Sequence, residues 1–250
     1  MRIVCSAGGY TVRVSRSLLV VIVLAALIAV PGHSTPVTHG QTRNLDFVAN
    51  RIAIVSDSYT TGTDEGGLGP KNWTAVAWQR LAAQGMPLTF DVQAEGRAGY
   101  HIKGNRGHIF DQLTAAAVRR DDALVVFFGS RNDKDEDPTA LNYNVRATLL
   151  RARLTAPLAR VLVIGPAWPT VDPPSTVLRI RDILAYQAKN VGASFVDPIA
   201  QRWFVGRPDL IGKDGVHPTD AGHVYLADKI APLIGSQMLW SGLSGAQPRG

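Results

Sequence analysis

The sequence predicts an α/β domain, a three-layer sandwich with helices on both faces of a central parallel sheet of about five strands. Three observations predict it. Short apolar runs of strand type recur along the chain, and each is followed by a stretch of helical character. Several of these runs are nearly continuous in apolar residues, as strands covered on both faces must be. The chain is also large and apolar enough for a full core: 46% of its 250 residues are hydrophobic and 18% are charged. Strands that alternate with helices give a parallel sheet, because each crossover helix returns the chain to the same end.

The elements follow in order. Arg51–Val55 is the first strand, and the polar run from Ser56 to Gly62 comes after it. A helix is expected over about Lys71–Gln84, then a strand at Leu88–Gln93, whose loop carries Glu95, Gly96, Gly99 and Tyr100. Ile109–Arg119 reads as helix and Ala123–Phe128 as the third strand, which runs into Gly129-Ser130-Arg131-Asn132-Asp133. Thr139–Leu154 is helical, Val161–Gly165 is the fourth strand, and Pro166-Ala167-Trp168-Pro169 follows it. Thr176–Asn190, a strand at Ala193–Val196 and a final helix over Asp220–Ile234 complete the pattern. The domain is expected over 48–238, with a flexible tail over 239–250.

In such sheets the ligand site lies beyond the carboxyl ends of the strands. The polar segments after the first four strands all fall on that rim, and Asp214-Gly215-Val216-His217 precedes the last helix. Ser58 sits where a strand turns into a helix, so its own N–H can face a developing oxyanion. Its hydroxyl is a poor nucleophile until a base removes the proton. His217 is a candidate base, and Asp214, three residues before it, can hold one ring nitrogen and leave the other facing Ser58. Asn132 can offer a side-chain amide to the oxyanion, and Gly99 a backbone N–H. Trp168 and Tyr100 are candidates to line the substrate. Ser56 is a rival nucleophile with a poorer context. His101, His108 and His223 read as surface or satisfied histidines, and Asp133 to Asp137 as a solvated acidic loop. No spacing suggests a metal site, and Gly66, Gly67 and Gly69 lack the Gly-Lys-[Ser/Thr] ending of a phosphate loop. No cofactor is expected.

These blocks resemble those of the SGNH hydrolases, the GDSL-type esterases and lipases. The first block matches Ser56-Asp57-Ser58-Tyr59-Thr60-Thr61-Gly62, with Ser56 in place of the first glycine. The second-block glycine matches Gly99. The third, Gly-x-Asn-Asp, matches Gly129-Ser130-Arg131-Asn132-Asp133 with one additional residue, and the fifth matches Asp214 to His217. The order and spacing agree over about Arg51 to Ile234. The resemblance implies a flavodoxin-like fold and an ester hydrolase. It also implies Ser58 as nucleophile, His217 as base, Asp214 as its orienter, and an oxyanion hole from Ser58, Gly99 and Asn132. An O-acyltransferase that passes the acyl group to a glycan on the same triad is the alternative, as is a non-catalytic glycan- or lipid-binding module.

The N-terminus has its own logic. Arg13 and Arg16 precede the uncharged apolar run Leu18–Val30, which ends in Pro31-Gly32-His33-Ser34. That pattern is a secretory signal over 1–32, or an anchor if it is not cut, followed by a flexible lead-in over 33–47. Cleavage removes Arg2, Arg13, Arg16 and no acid, so the formal charge of +6 becomes +3. What remains is too small and scattered for nucleic acid. Cys5, the only cysteine, would leave with the signal. The expected partners are an ester substrate (acylated glycan, lipid or small ester) and, through the signal, the membrane in passing. A secreted or cell-envelope monomer is expected.

Overall fold

The computed structural model describes residues 50–244, with side chains through 238. The expected signal, the lead-in and the end of the tail lie outside the described residues. One sheet holds five strands: β1 Arg51–Ser56, β2 Thr89–Ala94, β3 Asp122–Phe128, β4 Arg160–Ile164 and β5 Ser194–Val196. Their order is β2-β1-β3-β4-β5 and every pairing is parallel. The helices are α1 Ser58–Thr61, α2 Trp73–Ala83, α3 Phe110–Ala117, α4 Pro138–Thr155, α5 Ser175–Asn190 and α6 Asp220–Ser244.

The expected strands agree with these bounds to within one residue at each end. Three helix ends differ by two residues or more, for local reasons: α3 stops at Ala117, short of the expected Arg119, because Val118 is extended. α2 starts at Trp73 because Asn72 caps it, its side chain accepting the Thr74 N–H, while Gly69–Lys71 forms a separate 3-10 turn. α6 runs past Ile234 to Ser244, so its backbone enters the stretch expected to be tail. No proline follows Pro232 until 248, and nothing else there breaks a helix outright.

Side chains alternate across the sheet with the period of two that strands impose. Ile52, Ile54, Leu124, Val126, Phe128, Leu162 and Ile164 face one layer, where α2 and α6 bring Trp73, Leu81, Ile230 and Ile234. Ala53, Val55, Val125, Phe127, Val161 and Val163 face the other, against Phe110, Leu113, Val145, Leu149, Ile180 and Leu184 from α3, α4 and α5. β3 is buried along its whole length, which explains its unbroken apolar sequence. Strand order reverses between β1 and β3, since β2 flanks one side of β1 and β3 the other. The carboxyl ends of β1 and β3 therefore meet at the crevice where such sheets bind ligands. No helix among the described residues is long and apolar enough to cross a membrane.

Candidate active site

The turn after β1 shapes the rim. Asp57 is extended and caps α1, its Oδ1 accepting the Tyr59 N–H at 2.9 Å. α1 is only one turn long and stops at Gly62, where φ is +72° and a Cβ would lie 2.3 Å from the Gly67 carbonyl oxygen. Ser58, the first residue of α1, places its Oγ 3.0 Å from His217 Nε2. His217 Nδ1 lies 2.5 Å from Asp214 Oδ2. The other oxygen, Oδ1, accepts the N–H groups of Val216 (2.8 Å) and His217 (2.9 Å).

Asp214 thus closes its own loop and holds the ring that follows. Burial opposes its charge, but the His217 ring and the two N–H groups keep the carboxyl below its usual range. An ionised Asp214 accepts the proton on Nδ1 and leaves the Nε2 lone pair facing the Ser58 hydroxyl. Tyr59 fastens the loop from the other side, its Oη donating to the Val216 carbonyl at 2.6 Å. Its ring packs edge-on against Phe128 and Phe204.

The donors implied for the oxyanion fall into different positions. Among the described residues, no hydrogen bond engages the Ser58 N–H. The Asn132 amide donates to the Ala98 carbonyl at 2.9 Å and reaches Asp57 Oδ2 at 3.3 Å, which sets it beside the Ser58 turn. Gly99 departs from the expectation: its N–H donates to the Ile102 carbonyl at 3.0 Å, closing its own loop. Glycine is needed there for another reason. A Cβ would sit 2.5 Å from both carboxylate oxygens of Asp133.

Asp133 is itself a correction, being buried rather than part of a solvated acidic loop. It accepts the N–H groups of Tyr100, His101 and Ile102 and the hydroxyl of Ser130. Through these bonds it joins the loop after β2 to the loop after β3. Ser56, the departure in the first block, is also buried. Its hydroxyl donates to the Phe128 carbonyl at 2.8 Å and accepts from Thr60 Oγ1 at 2.7 Å. Thr60 in turn accepts the Trp73 indole N–H at 2.8 Å. The rival serine is a strut between β1 and β3, out of reach of a substrate.

With this geometry in hand, likeness to known proteins decides the family. A family model described as GDSL-like lipase/acylhydrolase matches residues 57–225. The chain belongs to the GDSL-like lipase/acylhydrolase family. It is by that membership a carboxylic ester hydrolase. The GDSL lipase Rv0518 of Mycobacterium tuberculosis is 61% identical over 198 residues, covering 78% of this chain and 86% of that protein. Among solved structures, TesA aligns with a TM-score of 0.62 at 21% identity, covering 75% of this chain and 99% of TesA. A family two carbohydrate esterase from Clostridium thermocellum gives 0.61 at 15%, covering 76% and 65%. The aryl esterase of M. smegmatis gives 0.54 at 19%, covering 75% and 99%. At those identities the likeness is one of fold.

Against the GDSL pattern, the remaining candidates sort by burial. Tyr100 is fully buried against Phe110 and Phe127, so it is a core residue and not a wall of the substrate site. Burial pushes its phenol well above the usual range. Trp168 is half-buried on the rim, with the Arg131 guanidinium 4.2 Å from its ring centre and its indole N–H on Thr170. His101 pairs with Asn144 and Glu136, and His108 with the buried Glu95. His223 is buried away from this set, its Nδ1 accepting the Trp73 N–H at 3.3 Å. Burial pulls its pKa down to about 4, and the residue acts as core. The sequence reading assigned no role to Asp57, Tyr59 or Arg131. The only signal for Arg131 was the additional residue in the third block.

Proposed function

We propose that the protein is an exported serine esterase that cleaves carboxylic esters through an acyl-enzyme on Ser58. His217 takes the Ser58 proton on Nε2 as Oγ attacks the ester carbonyl carbon. The Ser58 N–H and the Asn132 amide stabilise the oxyanion that forms, the amide sharing with it the N–H that makes only the long 3.3 Å contact to Asp57. The ester C–O bond then breaks, and His217 returns the proton to the departing alkoxide, which leaves as the alcohol. Water repeats the sequence on the acyl-Ser58 ester: His217 accepts its proton, the hydroxyl adds to the carbonyl, and the C–O bond to Ser58 breaks as His217 returns the proton to Oγ and the acid is released. Asp214 stays ionised throughout and stabilises the imidazolium. The observation that carries the reading is the unbroken contact from Ser58 Oγ to His217 Nε2 to Asp214, with distances of 3.0 and 2.5 Å.

An apolar ester chain is the substrate feature this site favours. An open groove of about 450 Å³ starts at Gly215, inside the Asp214–His217 segment, and runs between the loops after β4 and β5. Pro169, Val171, Phe204, Pro208 and Ile211 line it. The Arg207 guanidinium at its edge is held by both oxygens of Asp209. A glycan needs several convergent polar groups, and these walls offer few. The lipase relative is in keeping with this reading. Export rests on the apolar Leu18–Val30 segment.

The test is a chain-length series of p-nitrophenyl esters with wild type and Ser58→Ala, and a glycan acceptor added in parallel. Turnover that rises from acetate to longer chains and vanishes in Ser58→Ala supports the reading. Acylated glycan as the main product would replace it with the transferase.

A further inference from the structure

Arg131 occupies the additional position in the third block, and the structure gives it a task. Its guanidinium lies over Trp168, its Nη1 is buried without a hydrogen-bond partner, and it lines the same small cleft as Tyr59. Together with Asp57, Tyr59 and Gly129 it lines a cleft of about 10 Å³ beneath the nucleophile turn. Asp57 is 1% exposed. It is packed so tightly under Gly129 that a Cβ there would lie 2.6 Å from Oδ2. A buried carboxylate needs a counter-charge. Around it stand Arg131 and Asp133 from the loop after β3, Tyr100 from the loop after β2, and Tyr59 on its own helix. Arg131 is the only cation of that set.

We propose that Arg131 is a positioning residue for ester cleavage: it is the counter-charge to Asp57, whose carboxylate holds the Asn132 amide beside Ser58. Its contact with Tyr59 extends the same support through the Val216 carbonyl to the His217 loop. Loss of the guanidinium leaves Asp133 as the nearby charge and only the Tyr59 N–H and the Asn132 amide to favour the carboxylate, so Asp57 takes up a proton at higher pH. A protonated Asp57 is a poorer acceptor for Asn132, and the amide is freed to turn away. Burial already lifts the Asp57 carboxyl to about 7 and Arg131 opposes that rise, which puts the transition inside the range of an ordinary assay. The proposal rests on Ser58 acting as nucleophile.

The experiment measures kcat and KM for p-nitrophenyl butyrate from pH 5 to 9 in wild type, R131K, R131M, D57N and R131M/D57N, with S58A as control. R131M is expected to lower kcat about tenfold at neutral pH with little change in KM, a loss confined to turnover. Its acidic limb should move up by about one pH unit, since an adjacent opposite charge shifts a carboxylate by about 1–3 units. R131K, which keeps the charge, should restore the limb. In the D57N background, R131M should move the limb no further, because nothing is left there to titrate. A merely structural role would lower kcat without that cancellation. If R131M does not fold, R131Q replaces it. An unmoved limb in the charge-removing variant, or an equal shift without Asp57, overturns the proposal. Turnover retained by S58A would instead overturn the mechanism on which it rests.

Discussion

At the scale of single residues, the chemistry depends on how few groups touch the reacting atoms. Asn132→Ala is expected to lower kcat about 10²–10³-fold with KM nearly unchanged, as for other lost oxyanion donors; steady-state kinetics at saturating ester decides it. Ser56→Ala should do the reverse. It strands the Thr60 hydroxyl and the Phe128 carbonyl in the core, at a cost of about 1–3 kcal/mol, while leaving the Ser58–His217 contact alone. A lower Tm with near-normal kcat at 25 °C is the outcome to measure. The Asp214–His217 pairing was legible in the sequence because its spacing is local, whereas its meeting with Ser58, 159 residues away, could be read only from the strand order that puts both on one rim. Asp133, Tyr100 and Gly99 were misjudged because their surroundings are not. Asp133 is buried only because three N–H groups from a loop about thirty residues away converge on it. The Gly99 N–H is committed to Ile102 by the same loop geometry, and Tyr100 is turned into the core.

Among elements, the strands were readable to within a residue, and the three central ones most plainly, since a strand covered on both faces must be apolar along its length. Helix ends were less so: Asn72 caps α2 two residues later than periodicity suggests, and α6 stays helical past Ile234 through Ser244. The packing of α6 on the loop before α2 yields a prediction about pH. The His223 ring fills the space above Gly67, where a Cβ would meet Nε2 at 1.9 Å, and its pKa in the fold is about 4 against 6.5 when free. Below pH 6.5 the unfolded chain binds a proton that the folded chain refuses, so this contribution is complete above pH 6.5. It is lost as the pH falls toward 4. Denaturant unfolding of wild type and His223→Gln should show it as a shallower loss of stability in the variant between those limits. The same contact predicts that Gly67→Ala, with φ at +76°, lowers the Tm more than an ordinary surface substitution.

Over the whole molecule, strand reversal at β1 and β3 brings the serine turn and the Asn132 loop to one crevice, and the segment before α6 delivers the histidine to it. A groove with apolar walls reaches Gly215, in the segment that carries His217. Ile211→Asp should therefore lower kcat/KM about 10- to 200-fold for p-nitrophenyl octanoate, the range for altered hydrophobic pocket contacts, and far less for the acetate. Equal losses on both esters would remove the groove from the account. The central claim is that Ser58 becomes covalently acylated. Its most direct test is labelling of the full chain with a fluorophosphonate, followed by peptide mapping of the adduct. The account predicts one adduct, on Ser58, absent from Ser58→Ala and greatly slowed in His217→Ala; an adduct on another serine, or undiminished labelling of Ser58→Ala, would contradict it.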